Sequence, residues 1–333
     1  MRSLLAFIAA AAIGLTASVA SANELLRVGN AGRESFSFTP ANIGQATGIF
    51  AKHGLDVQIN AGKGSADVAQ KIASKAADFG FVDAGVSILA RGRGMPVKLV
   101  NMVHYKNMMA IVGKDSPPLK TPKDLEGRKV AANAGDAVKI SFAAVCALNG
   151  VDIKKVNFIS VETANKRPLL FAGQVDACCE YAVNFPVYQA GGKEVGMPIS
   201  QVLFSDFGVD LYSNGIVAHD DYLKSDPATV KAFNDALVES MLWTIENREE
   251  AVKILLTYSP KADANLALQG LNVAINHLLV PEVAAHGIGP MNNDKMVATI
   301  KIIHDYFGLA AAPASSDVYS NDYVTPGQKP AAM

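Results

Sequence analysis

Cysteine is scarce in this 333-residue chain: Cys146, Cys178 and Cys179 are all it has. Three thiols do not make the disulfide framework that staples small exported domains. Neither sign of charge dominates. The formal net charge is -1, the pI is near 6.6, and no basic cluster stands out, which argues against nucleic acid as a partner. After the N-terminal segment no apolar run approaches the ~20 residues of a membrane-spanning helix. Catalytic signatures are missing too. There is no G-x-S-x-G elbow, no H-E-x-x-H pair and no Walker loop. Gly62-Lys63-Gly64-Ser65 lacks the Gly-Lys-Ser/Thr ending of a phosphate loop; it reads equally as a plain tight strand-to-helix turn and as a helix N-terminus that meets an anionic or polar ligand group. The six histidines (53, 104, 219, 277, 286 and 304) form no i, i+4 pair, and no metal or cofactor is called for. The one tryptophan, Trp243, falls on a long helix and reads as core.

What is present begins with a leader. Arg2 is followed by an apolar, alanine-rich stretch over residues 4–15 and by Ala20-Ser21-Ala22, an A-x-A cleavage site. The expectation is a secretory signal over residues 1–22, cut after Ala22, and a periplasmic protein. No cysteine follows that site, so a lipid anchor is not expected. An uncleaved anchor is the alternative, with an apolar core shorter than a spanning helix needs.

Residues 26–85 alternate between strand and helix patterns. A short apolar run ends at Val28-Gly29. Thr39-Pro40 then opens a helix that His53-Gly54 stops, because threonine can cap free N–H groups and proline suits the first turn. Leu55, Val57 and Ile59 alternate as a strand, a helix follows over 66–76, and Phe79-Gly80-Phe81-Val82 is the next strand. The same grammar returns over residues 129–179, with a helix over 186–190 ended by Gly191-Gly192. A strand over 211–218 brings the chain back. A long helix then carries Val230, Phe233, Leu237, Met241 and Ile245 on one stripe, and three more helices follow. Alternation of this kind predicts open, mostly parallel sheets that bind ligands beyond the carboxyl ends of their strands. Length suits two lobes of ~100–200 residues each.

Several segments carry a family resemblance. "ATGIFAKHGLDVQI", "GKGSADVAQKIASKAADFGFVDAG", "TPKDLEGRKV", "FAGQVDA" and "SDPATVKAFNDAL" occur in the order seen in ABC-transporter substrate-binding proteins of the SsuA/THI5-like (NMT1) family. The resemblance implies an α/β type II periplasmic binding protein fold, two lobes of mixed parallel sheets flanked by helices. The first lobe would comprise residues 23–107 plus 213–310, the second 108–212, and 311–333 would be a tail. Paired crossings near 105–109 and 208–213 would form the hinge. The implied function is solute binding for an ABC importer, without catalysis or cofactor. The partners would be a small molecule and, transiently, a membrane permease, and the protein would be a monomer.

The ligand would then meet loops at strand ends. From the first lobe these offer Arg33, Ser35, Phe36, Phe38, Gly64, Ser65, Asp83 and Gly85. From the second they offer Asn133, Gly135, Asp136, Glu180, Tyr181 and Asn184. His104, Tyr105, Lys106, Asp210 and Tyr212 stand near the hinge. Phe36, Phe38, Tyr105, Tyr181 and Tyr212 could clamp a planar ligand or pack the lobes. Glu180, directly after a buried-looking strand, needs a partner: a ligand N–H or a protein arginine. Together these tilt the ligand toward a planar heterocycle or aromatic compound. The alternatives are a sulfonate- or nitrate-type anion, a ligand sensor for a membrane receptor, or a THI5-type pyrimidine-synthesis enzyme. That enzyme group carries a "C-C-C-F-C" motif, from which Cys178-Cys179-Glu180-Tyr181 departs. The adjacent cysteines read as small residues in a buried strand, or as a vicinal disulfide or nucleophile.

Overall fold

The computed structural model describes residues 23–27, 39–62, 64–133 and 136–331. The leader, Val28-Gly29, Lys63, and the candidate site residues Arg33, Ser35, Phe36, Phe38 and Gly135 lie outside the described residues.

The elements run β1 (Asn23–Arg27), α1 (Thr39–Ala46), α2 (Ile49–Lys52), β2 (Val57–Ala61), α3 (Ser65–Ala73), β3 (Phe79–Asp83), α4 (Ala84–Gly92), β4 (Val97–Met102), β5 (Met109–Lys114) and β6 (Lys129–Ala132). They continue with α5 (Ala137–Leu148), β7 (Asn157–Ser160), α6 (Lys166–Phe171), β8 (Ala177–Tyr181), α7 (Phe185–Glu194), β9 (Ile199–Leu203) and β10 (Asn214–His219). The remaining helices are α8 (Asp220–Ser225), α9 (Pro227–Glu246), α10 (Arg248–Tyr258), α11 (Ala264–Leu278), α12 (Pro281–His286), α13 (Asn293–Phe307) and α14 (Ser315–Val318).

Two five-stranded sheets result, ordered β2-β1-β3-β10-β4 and β7-β6-β8-β5-β9. In the first, β1 pairs in parallel with β2 and β3; in the second, β6 pairs in parallel with β7 and β8. Each sheet also holds one antiparallel strand fed from the other half. β10 lies between β3 and β4, and β5 lies between β8 and β9. The chain thus changes sheet twice, between Met102 and Met109 and between Leu203 and Asn214. The two crossings are hydrogen-bonded to each other: His104 N donates to Asn214 O at 2.9 Å and Ser213 N to His104 O at 3.1 Å.

Helices cover both sheets. Every residue of β3 is buried, as expected of a strand with both faces covered. Phe79 of β3 stacks on Phe233 of α9 with ring centroids 3.9 Å apart. Val230, Phe233, Leu237 and Met241 of α9 are buried, while Ile245 and Trp243 are half-buried against the same core. The "TPKDLEG" segment is a short 3-10 turn, Pro122–Leu125, in which Asp124 Oδ2 accepts the Thr121 N–H at 2.7 Å. Its following arginine, Arg128, donates to the carbonyls of Asp124, Lys114, Pro117 and Pro118 at 2.7–2.9 Å. The motif is a clasp that ties the entry to β6 onto β5.

Some predicted boundaries move. The first helix breaks into α1 and α2 at Thr47-Gly48. Gly191 and Gly192 do not end a helix; they lie inside α7, where a side chain would drive into the Phe171 ring or against Ile199 and the Met197 carbonyl. The strand predicted over 211–218 starts only at Asn214, because residues 211–213 belong to the crossing. Helix α12 was not foreseen, being too short for a periodic pattern.

Candidate functional site

Strand pairing brings two strand ends face to face. Asp83, the last residue of β3, pairs with Asn214, the first of β10. Tyr181, the last residue of β8, pairs with Met109, the first of β5. Both partner strands emerge directly from the crossings, which run side by side. The carboxyl ends of β3 and β8 therefore meet across the hinge, and the charge of Asp83 is felt by the Tyr181 hydroxyl.

On the first sheet, Asp83 is 2% exposed. Its Oδ1 accepts the Val86 N–H at 3.3 Å, capping α4, and its own N–H donates to Ser65 Oγ at 3.1 Å. Its Oδ2 is buried with no hydrogen-bond partner among the described residues, and one turn on so is Ser87 Oγ. Burial pushes the Asp83 carboxyl from an ordinary 3.8 up to about 7, against two backbone N–H groups that lower it. Ser65 opens α3, whose N-cap is Gly64 at φ 139°, a conformation essentially reserved for glycine. Glycine brings no cap of its own, and α3 has no side-chain cap among the described residues.

On the second sheet Asp136 and Glu180, near the facing strand ends, are both satisfied. Asp136 caps α5, its Oδ1 accepting the Val138 N–H at 3.1 Å, and its Oδ2 lies 2.5 Å from Lys166 Nζ. Lys166, itself buried, also donates to Cys179 O at 2.7 Å. Burial works against the lysine's charge, but Glu180 and Asp136 together raise its pKa. Glu180 is the fourth residue of β8, not the residue after it. Among the described residues its partners are not cations: Tyr188 donates to Oε1 at 2.8 Å and Asn184 to Oε2 at 2.7 Å. Tyr181 is half-buried, and desolvation followed by the charges of Asp83 and Asp136 pushes its hydroxyl well up.

The hinge residues face inward. Tyr105 and Tyr212 are fully buried and meet edge to face with centroids 6.0 Å apart. Tyr105 donates to Pro290 O at 2.9 Å and accepts from Gly289 N. Tyr212 bonds Glu282 and accepts from Asn292 N, while Lys295 Nζ sits 5.0 Å above its ring. Both hydroxyls are thus used within the chain and clamp the crossings to α12 and α13. Asp210 is exposed and accepts from Asn107 N at 3.4 Å. His104 is buried beside Phe81 and Asn214, and burial, aided by His277, pushes its pKa down to about 3. It stays neutral at working pH.

Cys178 and Cys179 are buried free thiols facing opposite sides of β8, because successive strand residues point to opposite faces. They form no vicinal disulfide. Burial raises both thiols, Cys178 to about 12. Lys166, Tyr188 and Asn214 went unremarked in the sequence. Only Tyr188 left a trace, at the i+8 position from Glu180 with Asn184 at i+4.

With the geometry in hand, the family profile described as NMT1/THI5 like matches residues 35–251. The chain belongs to that family. It is 25% identical over 305 residues to the riboflavin-binding protein RibY of Chloroflexus aurantiacus, covering 88% of this chain and 84% of that protein. It is 26% identical over 219 residues to a formylaminopyrimidine-binding protein of Halalkalibacterium halodurans, covering 65% of each. Its fold superposes on the alkanesulfonate-binding protein SsuA of Xanthomonas axonopodis pv. citri with a TM-score of 0.68 at 14% identity, covering 91% of this chain and 97% of that one. The profile match shows the family, and the superposition shows that the fold is shared with SsuA.

Proposed function

We propose that this protein captures a planar, neutral nitrogen heterocycle or aromatic compound of pyrimidine-like character and hands it to an ABC permease. The two sheets, each with its helices, close on the ligand about the paired crossings. The halves correspond to residues 23–107 with 213–310, and to 108–212. Asp83, Gly64-Ser65 and Tyr181 line the cleft. Asp136, Glu180 and Asn184 stiffen its second wall, and His104, Tyr105, Asp210 and Tyr212 hold the hinge.

One observation carries the choice of ligand class. The helices that start at facing strand ends, α4 and α5, are both capped by aspartates, Asp83 and Asp136. A helix N-terminus favours an anion, but here two of those termini already hold carboxylates of the chain itself. A sulfonate or nitrate at the third, α3, would sit beside the Asp83 carboxylate. Relatives named for riboflavin and formylaminopyrimidine fit the same reading. Binding without catalysis is supported by thiols held protonated at Cys178 and Cys179 and by a neutral His104. The protein acts as a monomer in the periplasm, in keeping with the periplasmic setting of its SsuA-like structural neighbours.

Thermal-shift and calorimetric titration with riboflavin, formylaminopyrimidine, ethanesulfonate and nitrate tests this. A ligand at 100 times its Kd stabilises the fold by ~2.7 kcal/mol. A heterocycle should produce such a shift and the anions should not. A shift with the anions alone overturns the proposal.

A further inference from the structure

Three carboxylates stand at the facing strand ends, and they differ in what remains free. Both oxygens of Asp136 are taken, by Val138 N and Lys166 Nζ, and both of Glu180, by Tyr188 and Asn184. Asp83 keeps one, Oδ2, buried and without a donor among the described residues. A carboxylate oxygen is an acceptor only, so what it lacks is an N–H or O–H. Beside it stands the opposite need. Among the described residues no side chain caps the N-terminus of the nine-residue α3, where the first N–H groups of a helix have no intrahelical acceptor. The two features are tied together by the 3.1 Å hydrogen bond from Asp83 N to Ser65 Oγ.

Resting on the heterocycle proposal above, we infer that this wall reads a donor–acceptor edge of the ligand. A ring or amino N–H bonds Asp83 Oδ2, and the neighbouring carbonyl or ring nitrogen faces the N-terminal N–H groups of α3. Cyclic amides, imides and amino-azines carry such an edge; sulfonates, nitrate and simple aromatic acids do not. Asp83 is thus the specificity-determining residue and Glu180 a supporting one. Burial pushes the Asp83 carboxyl up, and a ligand N–H on Oδ2 opposes that push because it favours the ionised, acceptor-only form.

Matched probes test this on the whole protein by isothermal titration: riboflavin against N3-methylriboflavin, and 4-aminopyrimidine against 4-(dimethylamino)pyrimidine. Methylation replaces the N–H and leaves the ring. The N–H member of a pair should bind roughly 10- to 100-fold more tightly, the span expected for a hydrogen bond to a charged or partly charged acceptor. Asp83→Asn keeps the cap on α4 but turns the free oxygen into a donor. It should lose a similar factor for the N–H probes and narrow or reverse the preference within each pair. Equal binding of both members to the wild-type protein overturns the edge assignment while leaving the heterocycle proposal standing. Binding of ethanesulfonate or nitrate alone overturns both. Failure of every N–H probe overturns the edge assignment, and the paired probes decide it even if Asp83→Asn does not fold.

Discussion

The two halves of this molecule solve the same local problem in opposite ways. Each has a parallel trio of strands and an aspartate capping a helix at the facing edge, Asp83 on α4 and Asp136 on α5. On the second sheet the aspartate is neutralised by Lys166, and Glu180 nearby is held by Tyr188 and Asn184. On the first sheet the aspartate is left short of a donor among the described residues. A buried acceptor without a partner costs about 1–3 kcal/mol, a cost that a fold retains where something else supplies the bond. On the proposed reading the satisfied wall is a rigid backstop and the unsatisfied wall meets the ligand.

The sharpest way to break the contrast is to unsatisfy the second wall. Lys166→Met leaves Asp136 buried without its cation and should destabilise the protein by about 3–5 kcal/mol, measured by urea unfolding. A loss under about 1 kcal/mol would show that the second wall does not depend on the pair.

Next comes the pH dependence of the first wall. The folded protein keeps a proton on Asp83 up to about 7, whereas an ordinary aspartate loses it near 3.8. Between those values the native state binds more protons than the unfolded chain, so this group's stability contribution falls as pH rises. Ligand-free wild-type protein should lose up to about 4 kcal/mol relative to Asp83→Asn between pH 4 and pH 7.5. Paired denaturation curves at several pH values measure the difference. It cancels the opposite slope of surface carboxylates such as Asp176, whose pKa is lowered by the Lys129 N–H and by Lys114 despite some desolvation. Parallel curves for the two proteins would mean that Asp83 is not buried as a free acid.

The smallest effect is Tyr188→Phe, which removes one of two donors to Glu180. A loss of ~1–2 kcal/mol in unfolding free energy is expected, with little change in affinity for a heterocycle. A large affinity loss would make the second wall a reader of the ligand rather than its support.

Much of the architecture was legible in the chain. Strand and helix periods, Thr-Pro openings and the repeated grammar of residues 26–85 and 129–179 named most elements to within a few residues, because those signals are local. The register of β8 was not legible. Val175 and Cys179 suggested a strand ending before Glu180, yet pairing with β5 extends it to Tyr181. Gly191-Gly192 looked like a stop because the groups that crowd them, the Phe171 ring for Gly191 and Ile199 with the Met197 carbonyl for Gly192, lie outside their helix. Tyr105 and Tyr212 read as possible clamps, since an aromatic near a hinge carries the same letter whether it faces ligand or core. Burial and the bonds to Glu282 and the Gly289–Pro290 backbone distinguish the two roles.

Residue order by itself determined the family, the α/β alternation and the position of an aspartate at the head of each capping helix. These follow from short-range backbone preferences and side-chain periodicity. Which aspartate is neutralised and which is left open was decided only by tertiary structure. Lys166 lies 30 residues beyond Asp136 in the chain, yet its Nζ is 2.5 Å away in the fold. Asp83 faces Tyr181 only because two antiparallel strands are exchanged between the sheets. Electrostatic pairing in a buried site depends on distance through space, and that distance is set by packing rather than by position along the chain.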